Sequence, residues 1–574
     1  MRALDKKLFR DLWHIRGQAI AIAVVIACGV STVVMSFGTL TSLQVTKNAY
    51  YERQNFANVF ASLKRAPKSV LDHIREIPGI KKAESRVVAG ATLDVVGMNE
   101  PVSGLLISLP PALSGALNNV LLREGRWPEP DRKSEIILSD AFADAHKLGP
   151  GHTISAVING YRQKLEIVGV GMSPEYIYAM GPGALMPDDK RFGVLWLNRK
   201  AMAAAFDLDD AFNDVVLTLF PSAATEKVIA ELDRILEPYG GAGAIARKDQ
   251  VSNAYIANEM KQLDAMGRIV PPIFLAVAAF LLNVVISRII ATEREQIGLF
   301  KAFGYSNAAI GGHYLKLVLM IAVIGVLLGF GTGAWFGRAI TTLYGEFFRF
   351  PVLYFHLDYQ VFAVAALVSL GAAAGGALTA IRKAVVLAPA VAMQPAPPTV
   401  YGRGVLAALG LTRLLSQPTL MIFRHIGRWP LRTGLTMLGI SMSVAILVAS
   451  LFFYDAIEHM IESIFHNGQR QDVTVVFNEA TTPRSITEIR AMPGVLYAEP
   501  WRAIAVKLHK GSKTERAGIT GLETHTILHR VLDLDLTPIS MPDHGLVLST
   551  TLAKKLDVVR GDRVTVEALQ GRRY

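Results

Sequence analysis

Five stretches of this 574-residue chain contain no charged residue and are each long enough to cross a lipid bilayer. A transmembrane helix needs roughly 20 consecutive apolar residues to span the hydrocarbon core. The stretches are residues 17–46, 269–287, 317–337, 359–381 and 433–454. Only 19% of the residues are charged, below the roughly 25% that is usual for soluble domains. We therefore predict an α-helical polytopic membrane protein with five transmembrane helices.

Three residues within these stretches constrain the prediction further. Pro271 and Pro272 lie at the start of the second stretch, after Ile269 and Val270, where we expect the first turn of a helix, because a first turn tolerates proline. Cys28 is the only cysteine, so an intramolecular disulfide is excluded. The residues before it resemble a lipoprotein cleavage site, but the apolar run continues past Cys28. A cleaved signal would not need that continuation, so we interpret the run as a membrane helix.

The basic residues outside these stretches predict how the helices are oriented. Three segments together hold sixteen Lys and Arg and four Asp and Glu, whereas the whole chain has a net charge of +11. These segments are residues 1–16, 288–316 and 382–432. Short cytoplasmic segments carry an excess of Lys and Arg, so we place all three, and the N-terminus, in the cytoplasm. Residues 47–268, 338–358 and 455–574 are then expected outside. Topology explains the charge, and nucleic-acid binding is not needed.

The chain contains an internal repeat. LFRDLWHIRGQAIAIAVVIACGV at 8–30 has the same layout as IFRHIGRWPLRTGLTMLGISMSV, 414 residues later. HIREIPGI recurs as EIRAMPGV after 415 residues, and EIILSDAFADAHKLGPG recurs as GLVLSTTLAKKLDVVRG after 410. Three blocks that keep nearly one offset indicate a duplicated unit. The predicted unit is one helix, an external domain, three helices and a cytoplasmic connector.

The first external segment is predicted to be a mixed α/β domain. ANVFASL, AGATLDVVG and VSGLLISL are typical of strands, and PKSVLDHIREIPG is typical of a helix. HTISAVINGYRQKLEIVGV predicts a β-hairpin that turns at Asn159 and Gly160. Its counterpart in the second unit ends three residues after Gly571, so we expect a C-terminally incomplete fragment. We expect the turn-rich SPEYIYAMGPGALMPDD, residues 173–189, to form an exposed loop.

The sequence lacks three common motifs for phosphate binding, metal binding and nucleophilic catalysis. There is no G-x-x-x-x-G-K-[ST] phosphate loop, no H-E-x-x-H and no G-x-S-x-G. We therefore predict no catalytic, cofactor-binding or metal site in this chain. The five stretches also lack Asp, Glu, Lys, Arg and His, which mark the coupling path in ion-driven carriers. Energy for any transport is thus expected from a separate motor protein.

ATEREQIGLFKAFGYSNAAI, residues 291–310, lies between the second and third stretches. Ile297, Phe300 and Phe303 recur at helical spacing, so one side of a short helix is expected to be apolar. Gly304 is expected to end it. The polar residues expected on the aqueous side are Glu293, Arg294, Glu295 and Lys301. Such a helix suits docking to a cytoplasmic partner, and the alternative is an ordinary solvated loop.

Here a resemblance adds to the interpretation. EREQIGLFKAFGYS resembles the R-x-x-E-I-G-x-x-x-A-x-G-A motif of the FtsX-like (MacB-type) permeases of ABC transporters. LAPAVAMQP at 387–395 is similar to the motif after that family's last helix, and FRHIGRWPLRTGLTMLGI at 423–440 resembles the approach to its first helix. The layout of helices and external domain matches as well. Gln296 stands where the family usually has Glu, and Tyr305 where it has Ala.

The resemblance implies a permease subunit of the bacterial plasma (inner) membrane, with MacB-like periplasmic domains. A dimer of cytoplasmic ABC ATPases would use ATP, and this chain would bind no cofactor. The residues that would dock the ATPase are Glu293, Arg294, Glu295, Gln296, Gly298, Lys301 and Gly304. Membrane lipids and a periplasmic adaptor protein are further partners that the resemblance suggests.

The cargo stays open at this point. A lipid, a lipoprotein, a peptide and a drug are all compatible with an export or extraction function. A non-transporting regulator of cell-envelope enzymes is an alternative within the same family. A membrane-anchored binding or receptor protein is an alternative from another class, but it would not need a duplicated cytoplasmic docking helix.

Overall fold

The computed structural model describes residues 3–98, 100, 102–110, 114–182, 184, 186–356, 358–386, 388, 416–419, 421–422, 430–477 and 481–569. The chain divides into two compact units. The helical unit is Met1–Val45, Glu259–Tyr344 and Leu353–Tyr454, and the external unit is Thr46–Asn258, Gly345–Val352 and Asp455–Tyr574. All but one residue of the LAPAVAMQP motif, most of the predicted connector and the end of the second predicted hairpin lie outside the described residues.

Among the residues that the structure describes, five helices are long and apolar enough to cross a membrane. Helices are numbered in chain order. After α1 (Ala3–His14), the long helices are α2 (Arg16–Arg53), α7 (Val251–Thr292), α9 (Asn307–Phe347), α10 (Tyr359–Val386) and α11 (Pro430–Glu462). The short α8 (Arg294–Ala302) connects α7 to α9. The five predicted membrane helices are thus present as helices of membrane length.

All five of these helices overrun the charge-free stretches at one end or both by a turn or more. α7 begins well before Ile269, and α9 continues past Gly337. Backbone hydrogen bonds close each helical turn whatever the side chains carry, so a charged residue ends an apolar stretch without ending the helix. The expectation that Pro271 and Pro272 begin a helix is therefore wrong, because both lie inside α7.

A ridge of glycines on α9 lets α2 pack closely against it. A Cβ atom added at Gly325, Gly329 or Gly333 would lie 2.7, 2.6 or 2.8 Å from the nearest atom of α2. The side chains of Val30 and Val34, which face this ridge, are each 1% exposed. Small residues at every fourth position allow this approach between membrane helices. The ridge explains why α2 and α9 share one apolar core.

The first external domain contains a four-stranded antiparallel sheet in the order β11-β1-β10-β2. Its strands are β1 (Val59–Pro67), β2 (Ile80–Arg86), β10 (Ala211–Leu219) and β11 (Ile245–Ala246). Two helices, α3 (Ser69–Arg75) and α6 (Thr225–Leu236), share its apolar core. The predicted strand at ANVFASL and the predicted helix that follows it are thus confirmed.

The same domain contains a seven-stranded sheet in the order β5-β8-β6-β9-β4-β3-β7, and β7 also pairs with β8. The strands are β3 (Val88–Asp94), β4 (Val102–Leu109), β5 (Leu121–Gly125), β6 (Glu135–Ser139), β7 (Thr153–Ile158), β8 (Tyr161–Met172) and β9 (Phe192–Asn198). The extra pairing closes six strands into a ring. The predicted hairpin is confirmed, with Asn159 at φ 46° and Gly160 at φ 81°, as a two-residue turn requires.

The expectation of an exposed loop at 173–189 is wrong for its first part. Ser173, Glu175 and Ile177 are 4%, 8% and 1% exposed, and Pro174–Tyr176 forms a 3-10 turn. The reason is that Glu175 binds the buried guanidinium of Arg86. A polar residue inside a turn-rich segment was expected to be exposed to solvent, whereas Glu175 pairs with a buried charge.

The second external domain repeats part of this architecture. Its elements are α12 (Arg484–Arg490), β12 (Arg502–Lys510), β13 (Lys513–Gly521), β14 (Val531–Leu532), β15 (Pro538–Ile539), α13 (Thr550–Leu556) and β16 (Thr565–Ala568). The order β13-β12-β16 matches β4-β3-β7. Asp557 ends α13 in the left-handed conformation, as Lys147 ends α4 (Asp140–His146). The fold thus agrees with the repeat inferred from the sequence.

Candidate functional site

The candidate docking segment forms α8 and the turn after it. Ile297 is 1% exposed and Phe300 is half-buried, so these two positions face the protein as the helical spacing indicated. Phe303, however, is 75% exposed. It caps α8, and its N–H still donates to the Leu299 carbonyl at 3.0 Å, so it lies one turn after Leu299 on the open side of the helix. Phe303 therefore does not pack against the chain as Ile297 and Phe300 do.

Gly304 ends α8 as predicted. Its φ is +88°, a conformation that glycine adopts without steric cost. The Gly304 N–H donates to the Lys301 carbonyl at 3.0 Å, and the Tyr305 N–H donates to the Phe300 carbonyl at 3.1 Å. This pair of bonds is the Schellman motif, which usually carries an apolar contact. The rings of Tyr305 and Phe300 supply that contact, with centroids 5.6 Å apart.

The carboxylate of Glu293, which directly precedes α8, is bound within the chain. Lys7 Nζ lies 2.8 Å from Glu293 Oε2, and the Tyr314 hydroxyl donates to the same oxygen at 2.9 Å. Lys7 also pairs with Asp11 at 2.7 Å, and His313 Nε2 lies 3.1 Å from Asp11 Oδ2. We call these five residues the α1 anchor. It ties the start of α8 to α1 and to the first turns of α9.

Asp11 is held ionised by this anchor. Burial raises the pKa of its carboxyl group, but hydrogen bonds from His313 and Lys7, with the charges of both, lower it further. The net result is a pKa below the ordinary 3.8. The Asp11 carboxylate therefore keeps its negative charge at every physiological pH.

The far end of α8 is also held. Lys301 is half-buried, and its Nζ donates to the Val385 carbonyl at the end of α10 at 2.7 Å. Gly298 is buried in the middle of the helix, so it does not present a bare backbone to a partner. Glu293, Gly298 and Lys301 thus lie in contacts within the chain, and Arg294 is half-buried.

The side that α8 leaves accessible is short and mixed in character. Glu295 and Gln296 are exposed, Leu299 is 48% exposed, and Phe303 is 75% exposed. We call these four residues the α8 surface. Leu299 and Phe303 are four positions apart, so their side chains are neighbours on one side of the helix. Two apolar side chains beside two polar ones can fit a groove on another protein.

A second candidate element lies in the external unit, at residues 173–178, which we call the basal segment. Arg86 Nη1 lies 2.6 Å from Glu175 Oε2, and Arg86 Nη2 lies 2.8 Å from Asp214 Oδ1. Asn118 also donates to Glu175, at 2.7 Å. Burial alone would lower the pKa of the Arg86 guanidinium, but the charges of Asp214 and Glu175 raise it well above its ordinary value.

The basal segment also binds the residues where α7 begins. Gln250 Nε2 donates to the Glu175 carbonyl at 2.8 Å, and the Tyr178 N–H donates to Ser252 Oγ at 2.8 Å. The rings of Tyr178 and Tyr255 stack with centroids 4.4 Å apart. The segment therefore joins the external sheets, through Arg86, to the first turns of a membrane-length helix.

Neither element carries groups arranged for metal chemistry. Within the part of the chain that the structure describes, three or more His, Cys, Asp or Glu side chains nowhere group in a way that could hold a metal ion. Sequence reasoning missed the α1 anchor and the Arg86 ion pairs. No local pattern could have shown them, because Lys7 and Glu293 are 286 residues apart in the chain.

Two family models match the chain. The model of the FtsX-like permease C-terminal region matches residues 268–389, and the model of the MacB-like periplasmic core domain matches residues 19–235 and 433–574. The second match alone covers more than half of the 574 residues. No curated protein matches the chain.

Solved structures of three external domains are similar to parts of the chain, each with a TM-score of 0.22. The extracellular domain of the ABC-type transporter YknZ from Gram-positive bacteria is 13% identical and covers 32% of this chain and 92% of its own. The periplasmic region of MacB from Actinobacillus actinomycetemcomitans is 10% identical and covers 36% and 92%. A domain of a putative permease from Porphyromonas gingivalis is 15% identical and covers 32% and 83%.

The family models match the membrane-length helices and both external domains, in the order in which the structure places them. The motif resemblances at 291–310 agree with the first of these matches. The chain therefore belongs to the family of FtsX-like permeases with a MacB-like periplasmic core domain, the multi-pass membrane components of ABC transporters.

Proposed function

We propose that this chain couples ATP hydrolysis by a separate dimer of cytoplasmic ATPases to movement of its external domains. The α8 surface is the observation that carries the proposal. A helix that presents apolar residues at positions i and i+4 is suited to a groove on a partner protein. In this proposal the N-terminus is cytoplasmic, the chain lies in the bacterial inner membrane, and ATP binds only to the partner.

The two held ends of α8 support a role in transmitting force. A push on a loosely attached loop would be absorbed by the loop itself. α8 is instead connected to α1 and α9 through Glu293, and to α10 through Lys301. Movement of α8 would therefore be passed on to the membrane-length helices.

We divide the predicted docking residues between two proposed roles. Glu295 and Gln296 are exposed, and with Leu299 and Phe303 they form the proposed contact with the ATPase. The residues proposed to position the helix are Glu293, Arg294, Gly298, Lys301 and Gly304. Export or extraction of a lipid, lipoprotein, peptide or drug is the proposed outcome. Contacts with a periplasmic adaptor and with lipids remain predictions from the resemblance.

The test compares aspartate substitutions in the α8 surface with an aspartate substitution at a nearby position outside it. The double variant Leu299→Asp, Phe303→Asp should reduce co-purification of the ATPase at least about tenfold. A tenfold loss of affinity corresponds to a loss of about 1.4 kcal/mol of binding free energy. Ala308→Asp is the control, since Ala308 is exposed and lies outside α8. The melting temperature should stay unchanged in both variants. Full ATPase binding and full activity in the double variant would mean that α8 is only a solvated connection.

A further inference from the structure

We propose that the two external domains of this chain are held together by an ionic latch centred on Asp233. The latch consists of Asp233 in the first domain and of Lys507 and Arg516 in the second. Its existence does not depend on the proposed function. Its consequence, that the two domains start each ATP-driven movement from one fixed arrangement, does rest on that function.

Asp233 is positioned to receive cations from another domain. It lies in the last turns of α6, and its side chain is only 10% exposed. The Ala244 N–H of the following loop donates to its Oδ1 at 2.7 Å, which holds the carboxylate in place. Its other oxygen pairs with Lys507 Nζ at 3.3 Å and with the Arg516 guanidinium. Arg516 also donates to the Ala244 carbonyl, so it grips both the side chain and the loop.

The loop after α6 is shaped for this close approach. Gly243 has a φ of +89°, and a Cβ atom there would lie 3.0 Å from the Leu569 side chain and 3.5 Å from Arg516 Nη1. Glycine alone combines that backbone conformation with the absence of a side chain. The second domain can therefore lie directly on the loop. A polar cavity of about 200 Å³, lined in part by Asp233 and Lys507, remains beside the latch.

The internal repeat shows that the latch is directional. Lys507 and Arg516 are directly opposite each other on β12 and β13, on the side of the hairpin away from the buried Leu508. The matching pair in the first domain, next to the equally buried Leu93, is Thr92 and Ser103. Both are exposed and uncharged. The cations thus belong to the second copy alone, and the acid that receives them belongs to the first.

Charge pairs of this kind set which surfaces associate, because a buried carboxylate without a cation has lost its hydration without gaining a partner. The latch therefore fits the second domain to α6 of the first, whereas Thr92 and Ser103 of the first domain's own hairpin would leave Asp233 without an ion pair. This asymmetry distinguishes the two halves of a duplicated chain. It also predicts that loss of either partner frees the domains from each other without unfolding them.

The experiment measures the distance between the domains in the full chain, in lipid nanodiscs and without ATPase or nucleotide. Spin labels are placed at Val96→Cys and Leu496→Cys, two exposed positions, in a Cys28→Ser background. The distance distribution should be narrow in this parent. It should broaden or shift in Asp233→Asn, which keeps an oxygen for the Ala244 N–H, and in Arg516→Gln.

The double variant, Asp233→Asn with Arg516→Gln, tests whether the two residues act on each other. If Asp233 and Arg516 act on each other, the combined change should be smaller than the sum of the two single changes, because the pair they share can be broken only once, whereas Lys507 and the Ala244 carbonyl are separate contacts. Glu226→Gln is the control, since Glu226 pairs with Lys248 inside the first domain, and it should leave the distribution unchanged. Unchanged distributions in both single variants, or fully additive changes in the double variant, would overturn the latch. ATPase co-purification is measured separately, so a failure of the docking proposal remains distinguishable.

Discussion

Arg86 shows what a single residue contributes to the external unit. Its guanidinium is buried between two carboxylates, Glu175 and Asp214. Burial raises the pKa of Asp214, although the charge of Arg86 acts in the opposite direction. The three charged groups can therefore be buried together, whereas burial of any one of them without its partners would be strongly unfavourable. An isolated buried charge loses its hydration without gaining a partner.

Removal of this one cation should be strongly destabilising. Arg86→Met leaves two buried carboxylates close together and should lower the free energy of unfolding by about 3–5 kcal/mol. Arg75→Met is the matched control, since Arg75 forms an exposed ion pair with Asp72, a type worth about 0–1 kcal/mol. Thermal unfolding of the purified chain measures both. Equal losses in the two variants would contradict the role assigned to the buried pair.

The lowered pKa of Asp11 predicts how the stability of the protein depends on pH. Its pKa is lower in the folded protein than the ordinary 3.8, so the folded state releases its proton more readily than the unfolded state. Its stabilising contribution is thus fully present above about pH 4 and is lost as the pH falls through the lowered value. Asp11→Asn should therefore reduce the melting temperature at pH 7, and the difference from the parent should shrink towards pH 3. A difference that grows on acidification would show that the sign is wrong.

Among the elements, α8 depends on how it ends. Its Schellman turn places Gly304 at a φ of +88°, so the last carbonyl groups of the helix are bonded and Tyr305 packs on Phe300. Tyr305, which stands where the family motif usually has Ala, thus has a structural role. The turn also directs the exposed Phe303 away from the protein, where it contributes to the α8 surface.

Gly304→Ala should loosen this element. A Cβ atom at positive φ costs on the order of 1 kcal/mol, and the amide hydrogens of the last turn of α8 should exchange several-fold faster. Gly312→Ala is the control, because Gly312 lies inside α9 with open space around its Cα. There the substitution should be neutral or stabilising, since alanine favours helices by about 1 kcal/mol over glycine. Hydrogen exchange measured by mass spectrometry compares the two. Unchanged protection of α8 in Gly304→Ala would contradict the assignment of the turn.

For the whole molecule, the orientation of the helices decides where the ATPase can bind. The positive segments predict that residues 288–316 and 382–432 are cytoplasmic and that both external domains lie on the other side. The match to a MacB-like periplasmic core domain at 19–235 and 433–574 supports this assignment.

Reporter fusions test the orientation directly. A phosphatase that is active only outside the cytoplasm should be active after Gly160 and inactive after Gly304 or Gln394. A fluorescent reporter that folds only in the cytoplasm should give the reverse pattern at the same three sites. Either reporter on the wrong side at any of these sites would require a different number of membrane crossings.

The features that followed from the sequence are those in which cause and effect are close together in the chain. The five helices, the Asn159-Gly160 hairpin, the end of α8 at Gly304 and the repeat all follow from local composition or periodicity. Membrane helices in particular are specified locally, because every backbone hydrogen bond must be made within the segment that crosses the bilayer.

Other features were decided only by the tertiary structure, because they depend on residues far apart in the chain. The burial of residues 173–178 follows from Arg86, and the position of Glu293 follows from Lys7, 286 residues away. The latch joins Asp233 to Arg516, 283 residues later. Local patterns state only whether a residue is polar or apolar. Whether a polar residue faces water or another charge is decided by which distant segment folds against it, since pairing removes the cost of burial.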